Sequence, residues 1–285
     1  DPEVQVVYVP LPTSMKREWV LKAAAAKKHV LCEKPLAATG SHDEACAAAG
    51  VQFMDNTMFM HHDRTVGMQE VLADTALLGE ARHVNSTFTI PFGNDPEWAG
   101  SNIRMKGDSE PLGCFGDLGW YNIRLTEVAF NYADPEAVSC QFLQETDEGV
   151  PVYGIATMKY PGGRIGRFEC SFVHALRQWG EIVGTEASMD FRDFVVTNEK
   201  SQASFTVSKS TIGDRAITFP REVVLEKKFG DCVQHTRTIE KMSEIVVSGK
   251  LDEFWPKVSL QTQTILGACF TSARQGGAWV NPATE

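Results

Sequence analysis

A chain of 285 residues is long enough for one large domain or two ordinary ones with ample buried core. Its 43% hydrophobic and 22% charged content excludes a disordered chain, no apolar run reaches the length of a membrane helix, and nothing at the N-terminus reads as a signal peptide. A net charge of -10 argues against a sequence-independent grip on nucleic acid, and seven cysteines without CxxC spacing suit reduced thiols in an intracellular compartment better than disulfides or a zinc site.

Residues 4–10 form a near-continuous apolar run, as expected of a parallel strand covered on both faces. Thr13 or Ser14 is expected to cap a helix with Trp19, Val20, Ala23 and Ala24 on its buried stripe and Lys16, Arg17, Lys27 and Lys28 opposite. A strand at 29–32, an alanine-rich helix at 41–49 ending at Gly50, and a strand at 51–54 complete a βαβαβ run. That is half of a doubly wound nucleotide-binding sheet. No GxGxxG stands upstream of it, and no acidic residue at a second strand end chooses between NAD and NADP. The chain opens on Asp1-Pro2-Glu3-Val4 and is a strand almost at once, as a domain entered in the middle would be.

After His62 the pattern changes. Residues 64–78 read as a helix, and 83–92 alternate, with Val84, Phe88, Ile90 and Phe92 on one face. Further strands are predicted at 137–143, 153–160, 163–173, 180–184 and 188–194, with a Pro161-Gly162-Gly163 turn joining the second to the third. Amphipathic helices at 234–247 and 258–274 close the chain. The expected fold is therefore α/β: an incomplete Rossmann-type parallel sheet in residues 1–62, then, in 63–285, an α/β domain with an open, mostly antiparallel sheet. The last helix is a candidate to pack back on the first part.

Three stretches carry chemistry. Val30-Leu31-Cys32-Glu33-Lys34-Pro35 is a strand that stops at a charged pair before proline, which holds Lys34 extended at the sheet rim where open α/β sheets bind ligands. Gly116-Asp117-Leu118-Gly119-Trp120-Tyr121 reads as a helix start with Asp117 as N-cap and Tyr121 one turn on. The positive helix end and an ammonium such as Lys34 would both make that phenol easier to ionise. The strand ending Val9-Pro10-Leu11-Pro12-Thr13-Ser14 stands upstream. His61-His62 is not read as a metal pair, because adjacent side chains point apart and no carboxylate-rich partner is visible.

Leu-Pro-Thr-Ser after a strand, then Glu-Lys-Pro, then Asp-Leu-Gly-x-Tyr resembles the motif order of the glucose-fructose oxidoreductase/inositol dehydrogenase (Gfo/Idh/MocA) family over most of the chain. Residues 8–14, 116–124 and 254–256 are most similar to an uncharacterised plant-type subgroup, while Asp63 and Ala187 stand where related sequences often have proline and glycine. The resemblance implies hydride transfer between NAD or NADP and a secondary alcohol of a sugar-like or cyclic diol, with Lys34, Asp117 and Tyr121 catalytic. It implies that Pro10, Leu11, Pro12 and Thr13 line the cofactor's ribose and pyrophosphate, and that Glu33, Lys34 and Pro35, after a cis peptide, reach the nicotinamide side. Arg104, Trp120 and Arg124 are candidate substrate contacts, and the open sheet suggests a homodimer or a subunit of a larger assembly.

A non-catalytic scaffold subunit and NAD-dependent glycoside cleavage are the alternatives. In the strand order 3-2-1-4-5-6, residues 4–10 correspond to the fourth strand, so Val4, Val6 and Tyr8 would lie on an uncovered edge. These 285 residues alone are then expected to bind NAD(P)H weakly or not at all, and to behave well only where another polypeptide covers that edge.

Overall fold

The protein is described here by a computed structural model covering residues 1–36, 43–197, 203–211, 221–230 and 233–284. Near the N-terminus β1 (Val6–Val9), β2 (His29–Cys32) and β3 (Phe53–Asp55) form a parallel sheet in the order β1-β2-β3. The apolar runs of β2 and β3 are continuous because both their faces are covered, whereas β1, at the edge, leaves Tyr8 51% exposed. Val30, Cys32 and Phe53 join one buried cluster with Val20, Ala23 and Ala24 of α1 (Thr13–Ala25) and Cys46 of α2 (Asp43–Ala49). Leu31 and Met54, pointing the other way, join Met242, Ile245, Trp255 and Val258. Those four residues lie on α6 (Gln234–Ser248) and α7 (Phe254–Arg274), so the last helix packs against β3.

Two details of α1 differ from expectation. Neither Thr13 nor Ser14 caps it: Pro12 holds the N-cap position and no side chain there bonds the helix. Trp19 is 45% exposed whereas Lys16, placed by periodicity on the solvent side, is 1% exposed. The strand expected at 4–10 is limited to Val6–Val9, and Ser41 and His42 of the second helix fall outside the described residues.

The larger sheet has eight strands in the order β11-β10-β9-β8-β4-β7-β6-β5. They are β4 (Ala81–Thr89), β5 (Ala137–Glu145), β6 (Pro151–Tyr160), β7 (Arg164–Ser171), β8 (Arg177–Gly184), β9 (Ser188–Phe191), β10 (Ala203–Ser210) and β11 (Arg221–Phe229). All pairings are antiparallel except β4 with β7, where His83 faces Ile165 and Thr89 faces Ser171. β4 ends before Phe92, which is 53% exposed, so the expected apolar face stops at Ile90, which still packs against the core. β10 and β11 extend the sheet beyond the predicted strands: Ala203, Phe205 and Val207 alternate inward, while β11 carries Glu222, Glu226, Lys227 and Lys228 along an edge.

α3 (Asp63–Ala73), α4 (Pro96–Ser101) and α5 (Trp120–Ala129) complete the fold. α5 is buried along its whole length and crosses β4 and β7. A π-helical turn at Phe115–Gly119 runs straight into it. The backbone at Gly116 sits so close to the first sheet's strand-end loop that a Cβ there would lie 2.6 Å from Leu112 Cβ and 3.0 Å from Pro35 Cγ.

Candidate functional site

β1 and β2 deliver their C-terminal ends to one rim, and the π turn before α5 comes up against it. Between them lies a cleft of about 200 Å³. Pro10, Leu11 and Pro12 line it from the β1 side and Glu33, Lys34 and Pro35 from the β2 side; Arg104 and Asp117 face them. The Lys34–Pro35 peptide is cis.

Lys34 is the side chain that crosses the cleft. Its ammonium donates to the Asp117 backbone carbonyl at 2.6 Å and to the Asp117 carboxylate at 2.7 Å, and lies 4.8 Å from the centre of the Tyr121 ring. Burial works against this charge, but the Asp117 carboxylate and then Tyr121 outweigh it, holding the Lys34 pKa above the ordinary lysine value. Burial likewise opposes the Asp117 charge, yet Lys34 and Arg104 hold its pKa below the usual carboxylate range. Arg104 reaches the second carboxylate oxygen through Nε at 2.8 Å and stays 45% exposed, so its terminal N–H groups remain at the rim.

Tyr121 departs from the sequence argument. Its phenol is pushed up to about 12, because desolvation and the neighbouring Asp117 outweigh the help from Lys34. The ring is packed against Phe59 and Phe88, at centroid distances of 6.2 and 5.8 Å. The phenol is therefore neutral at physiological pH. Asp117 is also not an N-cap: it sits inside the π turn, and the N-cap position of α5 is Gly119, without a capping side chain. The π turn frees the Asp117 carbonyl and carboxylate to meet one ammonium, which a regular helix start would not do.

Trp120 and Arg124 do not reach the cleft. Trp120 is fully buried and donates from Nε1 to Thr57 Oγ1 at 2.7 Å. Arg124 pairs with Asp55 at 2.8 Å and Glu127 at 3.2 Å, and none of the three side chains touches solvent. Thr262 and Ser259 of α7 bond the same carboxylates, so this cluster ties β3, α5 and α7 together. Both candidate substrate contacts lie on the core faces of α5, where only Tyr121 faces Lys34, and neither borders this cleft.

Thr13 carries its donors to the α1 start, where its N–H donates to Glu110 Oε1 at 3.0 Å and its hydroxyl bonds Glu110 Oε2. Ser14 N–H donates to Ser109 O at 3.1 Å, so the 106–112 loop closes on the first turn of α1. Glu33 accepts from Tyr8 OH and Asn56 Nδ2, both at 2.6 Å. Glu110 and Lys16, which line the cleft, and Tyr8 and Asn56, which hold Glu33, are therefore candidate site residues that the sequence reading missed. Each meets its partner across 18 or more residues, and no local pattern announces such a contact.

His61 stacks on Trp255 at 4.6 Å, and His62 Nδ1 accepts from Arg64 N–H. Among the described residues no group of three or more His, Cys, Asp or Glu side chains is arranged to hold a metal, and no helix is long and apolar enough to cross a membrane.

Comparison with known proteins bears on the family and the fold. Residues 1–56 match the model for the oxidoreductase family with an NAD-binding Rossmann fold, and residues 68–190 match the GFO/IDH/MocA C-terminal domain. A dTDP-3,4-didehydro-2,6-dideoxy-α-D-glucose 3-reductase from Actinomadura kijaniata is 28% identical over 276 residues, 95% of this chain and 77% of that protein. A D-xylose 1-dehydrogenase (NADP(+)) from Haloferax volcanii is 26% identical over 284 residues, 98% of this chain and 81% of its own. Among solved structures, a 3-ketoreductase from Actinomadura kijaniata in complex with NADP and TDP-benzene superposes with a TM-score of 0.81 at 26% identity, covering 95% of this chain and 79% of that one. By its two matching domains, this chain belongs to the GFO/IDH/MocA family of oxidoreductases, whose N-terminal part is an NAD(P)-binding Rossmann fold.

Proposed function

We propose that this chain is an NAD(P)-dependent oxidoreductase that interconverts a secondary alcohol and a ketone on a sugar-like or cyclic diol substrate. In this reading residues 1–62 carry the dinucleotide and residues 63–285 the substrate. The observation that carries it is the Lys34 ammonium, held by Asp117 and lying against Tyr121 at the strand-end cleft. The relatives named above, one a sugar reductase and one a sugar dehydrogenase, support the substrate class.

The residues present fit the nicotinamide end of a dinucleotide. α1 begins without a side-chain cap of its own, and its first N–H already bonds a carboxylate, so an anionic oxygen is accommodated there. Leu11, Pro12 and Thr13 would hold the ribose and phosphate side, and Glu33, Lys34 and Pro35 the nicotinamide side. When bound, the dinucleotide supplies or takes the hydride. Lys34 has two of its three protons committed to Asp117, which leaves one for the reacting oxygen. As charge develops on that oxygen during reduction, Lys34 stabilises it and the neutral Tyr121 phenol donates a proton. Oxidation is the reverse step: the Tyr121 phenolate, formed once the phenol has given its proton to water, takes the alcohol proton while Lys34 stabilises the oxygen. Asp117 fixes the ammonium, and Arg104, with free donors at the rim, meets further oxygens of the substrate.

The test is binding followed by turnover. Fluorescence titration with NADPH and NADH measures the dinucleotide, and absorbance at the nicotinamide band measures turnover with D-xylose, cyclic trans-diols and keto-sugar nucleotides. With the β1 edge covered by another polypeptide, saturable binding with turnover of at least one of these classes is expected. Binding with no turnover of any of them would refute the substrate class, and no binding of either dinucleotide with that edge covered would refute the cofactor reading.

A further inference from the structure

Lys16 lies one turn into α1, where helical periodicity would turn it to solvent, yet it is among the largest fully buried side chains of the molecule. Its ammonium runs under the rim of the first sheet. It donates to the Lys34 carbonyl at 3.1 Å and to the Pro35 carbonyl at 2.7 Å. Among the described residues no carboxylate is hydrogen-bonded to it; Glu110 and Glu33 act on it only at a distance, and the Lys34 charge opposes it. Burial holds its pKa below the ordinary lysine value.

This is an unfavourable place for a cation. It is desolvated, it lies near the positive end of a helix, and a second ammonium is close by. A methionine would fill the same volume without a charge to bury. What methionine lacks is donors, and the donors here meet two consecutive carbonyls. Successive carbonyls of an extended strand point to opposite sides, so two that converge on one ammonium are held out of the ordinary strand pattern. The first of the two is the carbonyl of Lys34 itself, one bond from the Cα that carries the side chain into the cleft.

We propose that Lys16 is a positioning residue: by holding the carbonyls of Lys34 and Pro35 it fixes the direction in which the Lys34 side chain leaves the strand, and so keeps the Lys34 ammonium on Asp117 and against Tyr121. The proposal rests on the catalytic reading of Lys34 given above. It accounts for the buried charge, because a lysine retained at a cost in folding energy is expected where a site needs its geometry.

The experiment is ¹⁵N NMR of lysine ammonium groups in the full chain, which needs neither cofactor nor substrate. The Lys34 signal is identified by its loss in Lys34→Met. In Lys16→Met the Lys34 ammonium is expected to shift and to exchange its protons with water at least tenfold faster, and in Lys16→Arg, which keeps donors, it is expected to return toward the original rate. If Lys16→Met does not fold, Lys16→Gln, which keeps one donor class and removes the charge, takes its place, with an intermediate exchange rate expected. In the binding and turnover assays Lys16→Met should lower kcat by about 10–100-fold while dinucleotide Kd stays within about threefold, since a misaligned group costs rate more than affinity. A Lys34 ammonium with unchanged shift and exchange in Lys16→Met or Lys16→Gln overturns the proposal. Should Lys34 respond as expected while Lys34→Met itself turns over normally, the positioning claim stands and the catalytic reading falls.

Discussion

Arg124 and Asp55 meet at 2.8 Å with neither side chain exposed to solvent, one on the helix that carries Tyr121 and the other at the end of β3. Burial opposes both charges, and each holds the other ionised: the Asp55 pKa lies below the usual carboxylate value and the Arg124 pKa above its own. Removing one partner leaves the other buried and unpaired, so Arg124→Met is expected to lower the unfolding free energy by about 3–5 kcal/mol. Urea denaturation of the two proteins at pH 7 measures it.

Glu127 is the third member of that cluster and behaves oppositely. Desolvation pushes its pKa up from 4.5 to about 7, although Arg124 and Thr262 pull it down. The folded chain therefore keeps a proton that the unfolded chain gives up, and the stability this contributes is whole below pH 4.5 and lost as pH rises through about 7. That loss is on the order of 3 kcal/mol. Glu127→Gln, which keeps an acceptor for Arg124 and Thr262, should remove this part of the pH dependence. Its stability relative to the unmodified chain is expected to rise between pH 5 and pH 8, as measured by unfolding across that range.

Gly116 lets the π turn approach the Glu33-Lys34-Pro35 loop. A methyl group there would press on Leu112 Cβ and Pro35 Cγ, neither of which is the far end of a flexible chain. Gly116→Ala is expected to destabilise the fold by about 1–3 kcal/mol through overpacking and to weaken the Lys34 to Asp117 contact. A melting temperature equal to that of the unmodified chain would show that the loop yields more easily than the packing suggests.

Tyr121→Phe keeps the ring and its contacts with Phe59 and Phe88 but removes the proton. Dinucleotide affinity and melting temperature should hold while turnover falls by about 10²–10⁴-fold. Because the phenol is pushed up to about 12, reduction by the unmodified enzyme should show no alkaline loss due to Tyr121 up to about pH 10, which a pH–rate profile checks.

The first sheet, six strands of the second, most of the helices and the three catalytic candidates were legible in the sequence because each rests on a local signal: an apolar run closed by Glu-Lys-Pro, or glycines flanking Asp117. What was not legible depends on contacts between distant segments. Lys16 on a helix of alternating character reads as a solvated lysine until the carbonyls of Lys34 and Pro35 are placed above it. Arg124 reads as a ligand contact until Asp55 is found across 69 residues. The low ionisation cost expected of Tyr121 came from helix position and a nearby ammonium, and it was reversed by burial, which only packing reveals. β10 and β11 escaped notice because Ser, Thr and Lys dilute the one and charges crowd the other, as suits strands toward a sheet edge.

The most direct test of the account is the turnover of Lys34→Met with the substrate found for the unmodified chain, measured at saturating dinucleotide. The ammonium that Asp117 holds against Tyr121 is the group the proposed chemistry depends on. A fall of at least about 10²-fold in kcat, with dinucleotide Kd and melting temperature close to those of the unmodified chain, is the predicted result. Turnover within a few-fold of the unmodified chain would contradict the account and leave Lys34 a structural partner of Asp117.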